Sequence, residues 1–266
     1  MCGIVGYIGE RDACEVLLSG LKRLEYRGYD SAGIAVYHEG DINIVKKEGK
    51  ISNLENAISE TNPIGNLGIG HTRWATHGVP NEQNAHPHWD CHKNIVLIHN
   101  GIIENYVSLK KMLIDKGHKI RTETDTEIAA HLIEELYTNG HSFEDAFRMA
   151  LSKIRGTYGL VVLNKKEPDR FYVARKGSPL VIGVGDNEHF VASDAPAIIQ
   201  YTKDVVYLED GELAVITRDG FKTTDIENKV IDKKIETITM DLEEIEKGGY
   251  DHFMMKEIYE QPNTVA

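Results

Sequence analysis

The chain opens Met1-Cys2-Gly3-Ile4-Val5-Gly6-Tyr7-Ile8. A second residue as small as cysteine permits removal of Met1, and the mature chain then starts with a thiol and a free α-amine on one residue. An α-amine titrates near pH ~8, so part of it is an unprotonated base at neutral pH. Nucleophile and base on one residue is a recognised catalytic arrangement. A cysteine at position 2 is also found where it has no chemical role, so the position needs support from the rest of the chain. Residues 4–8 form a short apolar run and read as a buried strand.

Outward from that strand the patterns alternate between periods. Asp12 and Glu15 have capping-box spacing, and Val16, Leu17, Leu21 and Leu24 fall on one helical face. Residues 31–37 and 41–48 read as a hairpin around Glu39-Gly40. A short helix is expected at 51–59 and a strand at 67–70. Residues 71–94 are rich in Gly, Pro, Asn and His and read as a long loop, which in a compact domain is usually functional. A strand at 95–99 ends at Asn100-Gly101. Helices follow at 107–116, 126–137 and 143–154, with Thr124 and Asp125 as capping residues of the second. Short strands are then expected at 159–163, 171–174, 180–184, 190–192, 205–208 and 213–217. Strands, helices and strands again indicate a layered α+β architecture. The acidic run 241–246 reads as solvated surface, and 254–260 as a short helix before Pro262.

The 266 residues are 41% hydrophobic and 27% charged, an ordinary globular composition, and suit one large domain or two small ones. Thirty Lys+Arg against 42 Asp+Glu give a net charge of −12, which disfavours non-specific binding to nucleic acid or anionic membrane. No window has the apolar length of a membrane span, and the opening lacks the basic and long apolar regions of a signal peptide. Cys2, Cys14 and Cys91 cannot all pair within the chain and read as reduced thiols. A cytoplasmic protein is expected. Cys14 lies near the apolar helix face and reads as a core thiol.

Several polar residues fit one chemistry. The Asn100 amide and the Gly101 N–H can stabilise an oxyanion, although Asn-Gly is also a common turn. Arg73 can clamp a carboxylate. Asp125, read in isolation as a helix N-cap, can also hold an ammonium. Together with a thiol and an amine, this set suits glutamine. His86, His88, Cys91 and His92 approach metal-ligand spacing, with His99 nearby, but lack the paired spacing of a structural zinc site. No metal or other cofactor is assigned. Gly183-Val184-Gly185 reads as a hairpin turn, since no helix follows it to bind phosphate.

The segments CGIVG at 2–6, LEYRGYDSAG at 24–33, HTRWATHG at 71–78, HNGIIEN at 99–105 and ETDTE at 123–127 resemble the class II glutamine amidotransferase domain. RGYDSAG, HTRWATHG with NAHPH at 84–88, and KEIYEQP at 256–262 are similar to the branch of that family that aminates fructose 6-phosphate. The motifs keep their order from residue 2 to residue 262. The resemblance implies an N-terminal-nucleophile hydrolase fold, a four-layer αββα sandwich with two stacked antiparallel sheets. It implies that Cys2 attacks the glutamine side-chain amide, that Asn100 and Gly101 form the oxyanion hole, and that a γ-glutamyl thioester is hydrolysed to glutamate. By the same resemblance Arg73, Thr76 and His77 hold the substrate α-carboxylate, Asp125 its ammonium, and Trp74 belongs to a closing loop. Arg27 and His86 are supporting residues. The amidotransferase domain is expected at 1–240. Residues 241–266 are then a linker towards a C-terminal sugar-isomerase domain absent from this chain, in a full-length enzyme expected to be a homo-oligomer. The alternatives are the glutaminase domain of another class II amidotransferase and a glutamine-binding module without turnover.

Overall fold

A computed structural model describes residues 2–239, 250 and 253–264. Its strands are β1 (Gly3–Ile8), β2 (Ser31–His38), β3 (Asp41–Glu48), β4 (Leu67–Arg73), β5 (His88–Trp89), β6 (Ile95–Ile103), β7 (Gly156–Asn164), β8 (Arg170–Lys176), β9 (Val181–Val184), β10 (His189–Ala192), β11 (Asp204–Tyr207), β12 (Glu212–Thr217), β13 (Phe221–Asp225) and β14 (Glu236–Thr237). The helices are α1 (Ala13–Leu24), α2 (Ile51–Thr61), α3 (Tyr106–Asp115), α4 (Asp125–Thr138), α5 (Phe143–Lys153) and α6 (Phe253–Thr264). One sheet runs β14-β11-β9-β10-β1-β4-β2-β3, the other β13-β12-β8-β7-β6-β5. The pairings of β1 with β4 and β10, and of β6 with β7, are antiparallel.

The period-2 alternation of the central strands builds the layers. In β1, Val5 and Tyr7 turn towards α1 and α2, while Ile4 and Ile8 turn towards the other sheet. In β6, Val96 and Ile98 enter the inter-sheet core, and Ile95 and Leu97 pack against α3, α4 and α5. Three apolar layers therefore separate helices, sheet, sheet and helices, giving the expected αββα sandwich. Asp12 starts α1 by accepting the Cys14 N–H at 2.9 Å, and Val16, Leu17, Leu21 and Leu24 are its buried stripe. Glu39 and Gly40, both at positive φ, close the β2–β3 hairpin as a two-residue turn. Cys14 is a core thiol that donates to the Pro63 carbonyl, and burial pushes it up to about 12.

Several boundaries differ from the sequence expectation. The loop expected at 71–94 is shorter, because β4 continues through His71, Thr72 and Arg73 and because His88–Trp89 pairs with β6 as β5. The strand expected to end before Asn100 runs on to Ile103, so Asn100 and Gly101 face Gly159 and Tyr158 within the sheet rather than forming a turn. The α4 cap is Thr124, whose hydroxyl accepts the Glu127 N–H at 3.3 Å, and Asp125 is the first helical residue. Strands β13 and β14 were not anticipated. The helix expected at 254–260 spans Phe253–Thr264 and continues through Pro262. The acidic run 241–246 and the glycines at 248–249 lie outside the described residues.

Candidate active site

The cavity at one end of the two sheets is about 350 Å³ and is lined by Cys2, Arg27, Arg73, Trp74, Thr76, His77, His86, Asn100, Gly101 and Asp125, among others. Every site residue anticipated from the sequence therefore borders one space, although the residues come from positions 2 to 125. Strand pairing explains the convergence. Gly3 in β1 is opposite Thr72 in β4, which brings Trp74 over Cys2. The Trp74 N–H lies 3.1 Å from Cys2 Sγ, and the thiol lies 3.5 Å from the Trp74 carbonyl. Burial pushes the Cys2 thiol up, against the opposing pull of the Trp74 N–H. The resting sulfur is thus favoured as the thiol, which would need a base beside it to react.

Asn100 continues the inward-facing row of Val96 and Ile98. Its Nδ2 donates to the Cys2 carbonyl at 3.0 Å, and its Oδ1 lies 2.9 Å from His71 Nε2. Burial pushes His71 down to about 3 despite that hydrogen bond, so the ring is neutral and donates from Nε2, which turns the amide nitrogen towards Cys2. His71 lay inside the HTRWATHG segment but was not singled out. The alternation that puts His71 and Arg73 on one face of β4 was the available signal. Gly101 has φ +133°, and a Cβ there would meet the Thr157 carbonyl oxygen at 2.2 Å, so this position admits only glycine.

Asp125 is buried, and its Oδ2 accepts the Ile103 N–H at 2.7 Å. A carboxylate in the first turn of α4 is also favoured by the helix dipole. Arg73 is buried and donates to the carbonyls of His77, Gly78 (3.0 Å) and Val79 (3.4 Å), with Asp30 4.0 Å away. It therefore holds the 74–79 loop in shape as well as bordering the cavity, a second job the sequence did not reveal. Asp30 accepts the Ala75 N–H and anchors the same loop. His77 packs edge-on against Tyr106, and the exposed Trp74 against Tyr29. Arg27 reaches Asp194 Oδ2 at 2.8 Å, which ties the cavity wall to the segment after β10.

Beneath the site, His86 stacks on His71 with centroids 4.1 Å apart and meets His88 edge-on at 4.7 Å. The Thr126 hydroxyl lies 3.1 Å from His99 Nδ1 and 3.4 Å from His86 Nε2. Burial pushes His86, His88 and His99 below the usual histidine range. The grouping of His86, His88, Cys91 and His92 read from the sequence is thus split. The first two, with His71 and His99, form a neutral layer under the cavity, whereas Cys91 turns towards α4 and His92 is exposed.

A family described as "Glutamine amidotransferase domain" matches residues 71–200. The glutamine–fructose-6-phosphate aminotransferase (isomerizing) of Pyrococcus horikoshii is 56% identical over 266 residues, covering 100% of this chain and 44% of that protein. The protein of the same name from Thermococcus kodakarensis is 52% identical, with the same coverages. Among solved structures, glutamine phosphoribosylpyrophosphate amidotransferase from B. subtilis superposes with a TM-score of 0.73 at 28% identity, over 86% of this chain and 50% of that one. The allosteric regulatory enzyme of purine biosynthesis gives 0.74 at 30%, over 85% and 49%. The chain belongs to the class II glutamine amidotransferases, with their N-terminal-nucleophile hydrolase fold. Within that class it corresponds to the glutaminase part of glutamine–fructose-6-phosphate aminotransferase (isomerizing), and it spans 44% of the length of those curated relatives.

Proposed function

We propose that this chain hydrolyses L-glutamine to glutamate and ammonia through a γ-glutamyl thioester on Cys2. The observation that carries the reading is the convergence on one cavity of a thiol, an oriented amide, a buried carboxylate and a buried guanidinium. Once Met1 is removed, the Cys2 α-amine accepts the thiol proton as the sulfur attacks the substrate amide carbon. Asn100 Nδ2 and the Gly101 N–H stabilise the tetrahedral oxyanion. The C–N bond then breaks, the leaving nitrogen takes the proton and departs as ammonia, and water cleaves the thioester to release glutamate. Asp125 holds the substrate ammonium, while Arg73, Thr76 and His77 hold its carboxylate. Trp74 covers the bound substrate, and Arg27 and His86 support the site.

In the full-length protein the ammonia passes to a C-terminal sugar-isomerase domain and aminates fructose 6-phosphate to give glucosamine 6-phosphate. Residues 1–240 form the amidotransferase domain and 241–266 lead towards that partner, in a cytoplasmic homo-oligomer. No described helix is long and apolar enough to cross a membrane. Intact mass of the N-terminus combined with a glutaminase assay tests the proposal. Chains that begin at Cys2 release glutamate, and chains that retain Met1 do not. A folded chain with a free Cys2 terminus and no glutamate release makes this a glutamine-binding module instead.

A further inference from the structure

Cys91 belongs to a second cluster that the glutamine chemistry does not use. It lies between β5 and β6, and its Sγ is 3.7 Å from His118 Nδ1 and 3.5 Å from His131 Nδ1. The two Nδ1 atoms are 3.3 Å apart. Glu134 Oε2 is 3.0 Å from His118 Nδ1 and 3.3 Å from His131 Nδ1. These four donor atoms all lie within 4.8 Å of one another. We propose that Cys91, His118, His131 and Glu134 form a tetrahedral site for one divalent transition-metal ion, with zinc the expected occupant.

Two independent features carry this. The first is size. Zn–N distances of about 2.0–2.1 Å in a tetrahedron separate neighbouring N or O donors by ~3.4 Å, and a Zn–S distance of about 2.3 Å makes an S–N edge ~3.6 Å. The three N and O edges (3.0–3.3 Å) and the two S–N edges (3.5–3.7 Å) follow this pattern, shorter among N and O and longer to sulfur. The second is orientation. His118 Nε2 lies 3.1 Å from Glu135 Oε2, and His131 Nε2 lies 3.5 Å from Glu127 Oε1. Each imidazole thus gives its outer N–H to a carboxylate, which directs the Nδ1 lone pairs towards each other, the sulfur and Glu134. Four electron-rich atoms converge on one point, and outer carboxylates that fix histidine tautomers are the usual surroundings of a metal-bound imidazole.

A mixed S/N/O set selects zinc, cobalt or iron over magnesium and calcium. Four protein ligands leave no open position, as in structural rather than catalytic zinc sites. Binding displaces the Cys91 thiol proton and any proton held on either Nδ1, so that the ligands are a thiolate and two neutral imidazoles. His131 and Glu134 share one face of α4 at i, i+3 spacing, while Cys91 and His118 come from separate loops, so the ion staples three segments together. His131 is six residues, ~9 Å along the axis, from Asp125 on the same helix, so the staple also fixes the helix that carries a wall of the active-site cavity.

The test is elemental analysis of protein purified without a histidine tag or chelator, followed by exchange of the bound metal for Co²⁺. One zinc per chain is expected. The cobalt form should show intense tetrahedral visible bands and a near-ultraviolet thiolate-to-cobalt charge-transfer band, the latter lost in Cys91→Ser. Glu134→Gln should weaken Zn²⁺ binding at least tenfold. Because Cys91 lies away from the cavity, Cys91→Ser should keep its glutamine hydrolysis, which shows that the variant is folded. Failure of the wild-type protein to bind Zn²⁺ or Co²⁺ at micromolar concentration overturns the site, leaving a proton shared between His131 and Glu134. A cobalt spectrum unchanged by Cys91→Ser does so too.

Discussion

In the proposed hydrolysis, Cys2, Asn100 and Asp125 act through three different physical devices. The half-buried Cys2 sulfur is held as a thiol, so its reactivity depends on a base next to it, and Cys2→Ala should abolish glutamate release while glutamine still binds, as calorimetry can measure. The Asn100 amide is held by His71 before substrate arrives, so it pays no reorganisation cost as charge develops. Asn100→Ala should lower kcat by roughly 10²–10³, about 3–4 kcal/mol of barrier, with a smaller change in KM. Asp125 already uses one oxygen on Ile103 N–H, and its remaining acceptor capacity suits an ammonium. Asp125→Asn keeps the shape and removes the charge. It should raise KM for glutamine ten- to a hundredfold, since hydrogen bonds to charged groups are worth about 1.5–3 kcal/mol. If KM is unchanged while kcat falls, the ammonium assignment is wrong. All three positions were singled out in the sequence, Cys2 by its place beside the terminus, and Asn100 and Asp125 by the combined set and the family resemblance, since alone they read as a turn and a cap. The jobs of His71 and Asp30 were not, because their partners lie 29 and 45 residues away.

At the scale of elements, β4, β5 and β6 each deliver a buried histidine to one layer. These are His71, His88 and His99, and His86 from the preceding loop completes the set. The hydroxyls of Thr124 and Thr126 at the start of α4 meet three of them. All four have folded-state values depressed by burial. The unfolded chain therefore binds protons that the folded chain refuses once pH falls below about 6.5. Stability is full above that value and is lost on acidification towards the folded value, about 3 for His71. Each histidine contributes a slope of up to about 1.4 kcal/mol per pH unit in that window. The melting temperature should fall steeply between pH 6.5 and 5, and His88→Gln should make the fall shallower. A flat profile would falsify the neutral layer. These polar strand residues explain why 71–94 read as loop. Polarity normally marks solvent exposure, but here each ring is buried and hydrogen-bonds to at least one hydroxyl, amide oxygen or carbonyl, with His71 Nδ1 left unpartnered. The polar pattern therefore overextended the loop into β4 and β5, while 74–87 does lie outside helix and strand.

For the molecule as a whole, the two-sheet stack separates stability from activity according to the side of the sheet. Ile98 lies in the inter-sheet core, two residues from Asn100 on the same face, and Leu17 lies on the buried face of α1, on the far side of the other sheet. Truncation of either to alanine should cost about 2–5 kcal/mol in denaturant unfolding. Only Ile98→Ala should also reduce kcat, because the cavity it leaves sits beside the amide that must be held in place. Supplied with glutamine and fructose 6-phosphate, this chain alone should yield glutamate and ammonia but no amino sugar, as product chromatography will show.

The sequence by itself determined the layers. Period-2 and period-3.6 apolar patterns, a hairpin turn and helix caps are local signals, and they specify which faces must be buried. It also supplied the Cys2 chemistry and a list of polar residues with the right chemistry for glutamine. Only the tertiary structure decided which of those residues meet, because strand register, not sequence distance, sets Gly3 against Thr72 and Asn100 beside Cys2. The histidine and cysteine cluster shows the same limit. Neighbours in sequence, His88 and Cys91, join different clusters, whereas Cys91, His118 and His131 converge across 40 residues. Convergence of that kind is fixed by packing α4 against the sheet and leaves no periodic trace along the chain.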